Sequence, residues 1–186
     1  SIVATEGTAK YLNSNGIRCG FVYKVNEGRP NVVDLVKDGK IQLIIKDTAG
    51  SPEKAVSFAK QLIEEEKVLA IIGPSTSGET MQIKALCEEN KMILVSCAAA
   101  EVIVNPVAKY VFKTPQKDSD AVLKVFEQMK KLKTTKIGVL SSNTGFGKAG
   151  KDQIAKLAPA NGIQIVAEEV YDKAATDLTA EVTKLK

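Results

Sequence analysis

Short, unbroken apolar runs alternate with amphipathic stretches along the chain. The clearest instance is Val68–Asn90, VLAIIGPSTSGETMQIKALCEEN. Val68 to Ile72 has no polar interruption, as in a strand buried on both faces. Gly73-Pro74 breaks the run, and from Gly78 onward Met81, Ile83, Ala85, Leu86 and Cys87 follow helical spacing. Ser77 is predicted as the N-cap, and Asn90 falls where the helix should end. A polar, Gly-bearing turn leading into a helix N-terminus leaves backbone N–H groups free for a carboxylate or a phosphate. In open α/β sheets this is also where ligands sit, outside the carboxyl ends of the strands. The plainer reading is that Ser75, Thr76 and Ser77 only cap the helix.

The same layout recurs on both sides. Ile2-Val3-Ala4-Thr5 predicts a strand, followed by a short helix ending at Gly16, and Ile17–Val25 a second strand. Pro30 suits the first turn of a helix to about Lys37, with Gly39 as its stop. Ile41–Ile45 predicts a third strand. Ser51 then caps a helix with Pro52 at N1, and Val56, Ala59, Leu62 and Ile63 form its buried stripe. Met92–Cys97 and Tyr110–Phe112 read as strands, and Thr114-Pro115 as a hinge or boundary. Asp118 or Ser119 should cap a helix carrying Val122, Val125, Phe126, Met129 and Leu132. Ile137–Leu140 leads into a second polar, Gly-bearing turn, SSNTGFG, and a helix stopped by Pro159 and Gly162. Ile163–Val170 is the last predicted strand; Leu178, Val182 and Leu185 mark a final amphipathic helix. Such alternation implies an α/β fold: a three-layer, doubly wound, mostly parallel sheet of the flavodoxin-like kind, with right-handed crossovers.

Composition narrows the chemistry. The 186 residues are 44% hydrophobic and 26% charged, with a net charge of +4. The lysines alternate with Asp and Glu rather than clustering with aromatics, which argues against a nucleic-acid partner. No apolar run reaches the ~20 residues of a membrane span, and Ser1 opens almost directly into Ile2-Val3-Ala4, so neither a membrane nor a signal peptide is expected. Histidine is absent, which removes Ser-His and Cys-His nucleophile pairs and histidine metal ligands. Cys19, Cys87 and Cys97 are far apart, odd in number, and expected to be free small hydrophobes. No catalytic residue, metal or cofactor is expected, and nothing pairs Lys24, Lys46 or Asp47 into a catalytic set.

From about Gly50 to Lys186 the chain resembles the type I periplasmic solute-binding proteins, in particular branched-chain amino acid receptors of ABC transporters. The stretches that carry this are SPEKAVSFAKQLIEEEKVLAIIGPSTSG, MILVSCAAA, YVFKT, KIGVLSSNTGFGKAG and IVAEEVYDKAATDLTAEVTKLK. The resemblance implies that Ser77, Ala98 and Ala100 hold an amino acid's carboxylate and ammonium, and that Phe146 covers it from the second lobe. Ala100 departs from the hydroxyl residue common there. The resemblance also implies a missing first strand and helix, and a second lobe of two strands.

From Ser1 to about Ile45 the chain resembles instead the methylglyoxal-synthase-like regulatory domain of carbamoyl phosphate synthetase, through IVATEGTAKYL and YKVNEGRPNVVDLVKDGKI. That resemblance implies phosphate binding by Thr5, Thr8 and Lys24. Glu6 and Asn26 stand where histidine is frequent, Glu6 adds negative charge, and Lys46-Asp47-Thr48 replaces the family's phosphate loop.

The two families live in different compartments, cytoplasmic and periplasmic, and the join falls within or just after the predicted strand at Ile41 rather than in a linker. The sequence therefore reads as an engineered chimera that tests recombination of α/β fragments and has no evolved catalysis. The alternatives are a weakened amino-acid-binding module and a phosphate- or nucleotide-binding regulatory module. Residues 1–114 are expected to form one flavodoxin-like sheet of about five strands, with residues 115–186 a partial second lobe. That lobe either stands apart, its exposed sheet edge inviting a homodimer, or merges into the first sheet.

Overall fold

A computed structural model describes residues 2–185, in two compact units that divide between Asp47 and Thr48. In the first unit, β1 (Ile2–Ala4) pairs in parallel with β2 (Cys19–Phe21), Val3 opposite Gly20. The helix between them is α1 (Glu6–Ser14), and Gly16 adopts the expected left-handed conformation after it, with φ 77°. The predicted strand Ile17–Val25 is shorter than expected, continuing only as an isolated bridge from Tyr23 to Asn31. A second helix, α2 (Val32–Lys37), starts two residues beyond Pro30, which stands outside it. Asn31 caps it, accepting from the N–H of Val33 and Asp34, while Asp34 reaches back to the Asn31 N–H.

The predicted strand Ile41–Ile45 does not form. Its backbone is irregular, and Leu43 and Ile45 are exposed. Alternating β-formers make a strand only when a neighbouring ladder takes their N–H and C=O groups. The two-stranded sheet of this unit pairs β1 with β2 alone.

The second unit carries the rest in two layered parts. Helix α3 (Pro52–Glu64) opens on Ser51, whose hydroxyl accepts from Lys54 N–H, with Pro52 at N1 as expected. Then follow β3 (Ala70–Ile72), α4 (Ser77–Glu89), β4 (Ile93–Ser96), a 3₁₀ turn at Glu101–Ile103 and β5 (Val111–Lys113). These strands form a parallel sheet in the order β3-β4-β5. Ala59, Ile71, Ile83, Cys87, Leu94, Ile103 and Val111 close its core between sheet and helices. Next come α5 (Asp118–Lys131), β6 (Lys136–Ser142), α6 (Gly145–Leu157), β7 (Gln164–Tyr171) and the short α7 (Thr179–Lys184). Strands β6 and β7 form a separate parallel pair, and Val122, Phe126, Ala158 and Ile163 make a second, smaller core beside it.

The fold class is α/β with parallel strands, as the alternation implies. The five-stranded sheet expected over residues 1–114 is divided instead between a two-stranded and a three-stranded sheet, and β6 and β7 do not join either. Two caps also move. Thr76, not Ser77, is the N-cap of α4, its hydroxyl accepting from Glu79 N–H at 3.3 Å. Asp118 is the first residue of α5 rather than its cap, and its carboxyl accepts from the N–H of Glu101 and Ser119.

Candidate functional site

The carboxyl ends of the strands in the second unit converge on a cleft of about 700 Å³. The turn after β3 contributes Ser75, Thr76 and Ser77, and the first turn of α4 adds Gly78 and Glu79. Cys97 and Ala99 follow β4, Pro115 follows β5, Asn143 and Thr144 follow β6, and Lys173 follows β7. Gly145 and Phe146 come from the first turn of α6, and Gly50 and Pro52 from the start of α3.

Two helices of 13 residues begin at this cleft, α4 and α6. Each is capped by a threonine that takes a single backbone donor: Thr76 accepts from Glu79, and Thr144 from Gly147 at 3.1 Å. The N–H groups of Ser77, Gly78, Gly145 and Phe146 have no acceptor among the described residues. Both helix dipoles therefore place partial positive charge at one cleft, and the arrangement suits a small anion such as a carboxylate.

The surrounding walls are held by specific bonds. Ser142 Oγ lies 2.7 Å from Thr144 Oγ1, and a Cβ on Gly147 would overlap the Ser142 carbonyl and hydroxyl, so only glycine lets α6 start this close to β6. The Lys113 ammonium donates to the carbonyls of Ala99 and Gln116, which ties the loop after β4 to the segment before α5. Burial pulls that ammonium's pKa below its ordinary value, with nearby Asp118 and Glu101 opposing the shift. Asn143 Nδ2 donates to Asp172 and its Oδ1 accepts from the Lys173 N–H, tying the two strand ends together.

Of the residues expected to hold an amino acid, Ser77 and Phe146 line the cleft. Ser77 is buried, and its hydroxyl accepts from Ala100 N–H at 3.4 Å. Ala98 and Ala100 are buried in the core beside β4 and do not line the cleft; Ala99 between them does. Sequence reasoning does not single out Glu79, Asn143, Thr144 or Lys173. The Thr76-x-x-Glu79 spacing of a capping box is the one available signal for Glu79.

The expected phosphate residues are not gathered in this way. Thr5 precedes α1 with its side chain making no cap bond, Thr8 is exposed, and Lys24 is paired with Glu27 at 2.7 Å. Neither of two shallow hollows in the first unit is lined by any of the three. Beside Thr5, Lys10 and more weakly Lys24 hold the Glu6 carboxyl below its ordinary pKa, so negative charge stands at the start of α1. That charge opposes an anion.

Among the described residues no helix is long and apolar enough to cross a membrane, and no group of three or more metal-ligating side chains is gathered.

The sequence profile of the periplasmic binding protein family matches residues 4–186. The chain belongs to that family. Among solved structures it is similar to one from Rhodopseudomonas palustris CGA009, with 25% identity, a TM-score of 0.73, and 99% of this chain matched to 49% of that one. An extracellular ligand-binding receptor from Rhodopseudomonas palustris HaA2 shares 27% identity and a TM-score of 0.71, over 75% of this chain and 40% of that one. A leucine binding protein from Thermotoga maritima MSB8 has the same fold at 21% identity and TM-score 0.70, over 76% of this chain and 41% of that one.

Curated relatives point elsewhere. The carbamoyl phosphate synthase large chain of Acidobacterium capsulatum is 50% identical over 76 residues, 41% of this chain and 7% of that protein. The C-terminal section of the Methanopyrus kandleri enzyme is 54% identical over 59 residues, 31% of this chain and 11% of that section. The family member thus has mixed ancestry, part periplasmic binding protein and part carbamoyl phosphate synthase. It spans under half of the solved receptors' length and a small fraction of the synthases'.

Proposed function

We propose that this periplasmic binding protein family member is an engineered chimera without evolved catalysis, made to join fragments of two α/β folds. Its remaining chemistry is the weak binding of a small carboxylate-bearing solute, a branched-chain amino acid in the first instance, by the cleft of the second unit. The observation that carries this reading is the convergence of the α4 and α6 N-termini on one cleft, with four N–H groups that have no acceptor among the described residues. Phe146, on the first turn of α6 and half-exposed, supplies an apolar cover for the solute's side chain. The similarity to a leucine binding protein from Thermotoga maritima agrees with that class of solute.

Ala98 and Ala100 lie in the core and offer the solute no contact, and a solute polar group left unpaired costs about 1–3 kcal/mol. Affinity weaker than about micromolar is therefore expected. Titration calorimetry with leucine tests the reading, with Phe146→Ala as the control. A saturable heat that the variant diminishes supports it. No heat with leucine, valine or their deaminated acids overturns it.

A further inference from the structure

Glu79 is the third residue of α4, and a capping role explains only half of its carboxyl. Thr76 Oγ1 donates to Glu79 Oε2, and the Glu79 N–H donates back to the same hydroxyl, which ties the N-cap to the first turn. The other oxygen, Oε1, is buried without a hydrogen-bond partner, on a residue only 2% exposed. No ion pair among the described residues includes Glu79. Removing a carboxyl oxygen from water without giving it a partner is costly, and folds keep such a group where something else supplies the partner. Glu79 also lines the cleft, one residue beyond the free N–H groups of Ser77 and Gly78.

In an amino acid the carboxylate and the ammonium hang from one carbon, so their protein partners must be close neighbours. The first turn of α4 offers such neighbours: N–H donors for the carboxylate and, on the same turn, an acceptor for the ammonium. We propose that Glu79 is the specificity residue of the cleft, its Oε1 accepting a hydrogen bond from the solute's amino group, so that an amino acid is taken in preference to the plain acid of the same shape. This rests on the solute-binding reading given above.

The test is calorimetric titration of the full chain with leucine and with 4-methylpentanoate, which is leucine without its amino group. The unsubstituted chain should bind leucine about tenfold more tightly or better, as for a hydrogen bond to a charged group. Glu79→Gln should remove most of that preference, read as the ratio of the two affinities, and Glu79→Asp should restore part of it. A purely structural cap would weaken both ligands alike and leave their ratio unmoved. Equal affinity for the two ligands in the unsubstituted chain overturns the proposal without any variant, as does an unchanged ratio in Glu79→Gln. If neither ligand binds the unsubstituted chain, the solute-binding reading itself fails, and the role of Glu79 falls with it.

Discussion

Gly78 and Gly145, at the starts of α4 and α6, face each other backbone to backbone. A Cβ built on Gly145 would lie 2.8 Å from both the N and the Cα of Gly78. The reverse is not true, since a Cβ on Gly78 would meet Gly145 N at an ordinary 3.8 Å. The two helix N-termini can therefore approach this closely only while position 145 has no side chain.

This asymmetry makes a paired prediction. Gly145→Ala must push α6 away from α4, because the obstructing atoms are main chain and cannot rotate aside. It should cost about 1–3 kcal/mol in urea unfolding, as overpacking does, and should weaken leucine binding. Gly78→Ala fits its space and gains helix propensity, so its stability should stay within about 1 kcal/mol of the parent. Equal effects from the two substitutions would show that the helix starts are not in contact.

Thr80 and Ser96 join α4 to β4 beneath the cleft, and both are fully buried. Thr80 Oγ1 donates to the Thr76 carbonyl at 2.9 Å, so its single proton is used and the 2.8 Å bond to Ser96 must be donated by Ser96. Ser96 Oγ in turn accepts from Ala98 N–H at 3.1 Å. Thr80→Val leaves the Ser96 hydroxyl proton without an acceptor, and a loss of about 1–3 kcal/mol is expected. Ser96→Ala strands the Ala98 N–H and should cost a similar amount. The double variant should lose less than the sum, which a double-mutant cycle measured by urea unfolding will show.

The thiols give a third check. Cys97 is exposed and lines the cleft, whereas Cys87 is wholly buried between α4 and the sheet. Burial, assisted by the charge of Glu88, pushes the Cys87 thiol up to about 11. Since only the thiolate reacts, Ellman's reagent at pH 8 should label Cys97 quickly and Cys87 only on unfolding. Saturating leucine should slow the Cys97 reaction. The sign of the pH effect on stability follows from the same group. Above its ordinary value near 9 the unfolded chain releases the Cys87 proton while the folded chain keeps it, so stability should fall from about pH 9 toward 11.

How much of this is readable from sequence depends on the range of the forces involved. The strand–helix alternation, the Ser51-Pro52 start of α3 and the Gly16 stop are local, set by side-chain periodicity and backbone preference, and the structure has them. The turn from Ser75 to Ser77 is equally local, whereas the place of Phe146 at the cleft follows only from the resemblance to the solute-binding proteins. The α4 cap moves by one residue because serine and threonine are near-equal caps and only the Glu79 geometry decides between them. Ile41–Ile45 fails as a strand because a strand is made by its neighbour. The burial of Glu79 and the Gly78–Gly145 approach are out of reach, since both arise where elements distant in sequence pack together.

The two units should differ in how firmly they are held. Residues 2–47 bury only Ala9, Cys19 and Val22 among their apolar side chains, while Phe21, Tyr23, Val25, Leu43 and Ile45 remain exposed. The second unit has two apolar clusters, the larger spanning α3 to β5. A small core offsets little of the chain entropy lost on folding. Amides of α1 and β2 should thus exchange with deuterium faster than those of α4 and β4, with openings that need less urea. Size-exclusion chromatography with light scattering, run beside the exchange, separates the causes. Protection of α1 that rises with concentration, together with a dimer mass, would mean that a second copy covers these apolar side chains. Uniform protection in a monomer with one sharp urea transition would overturn the expectation that the first unit opens on its own.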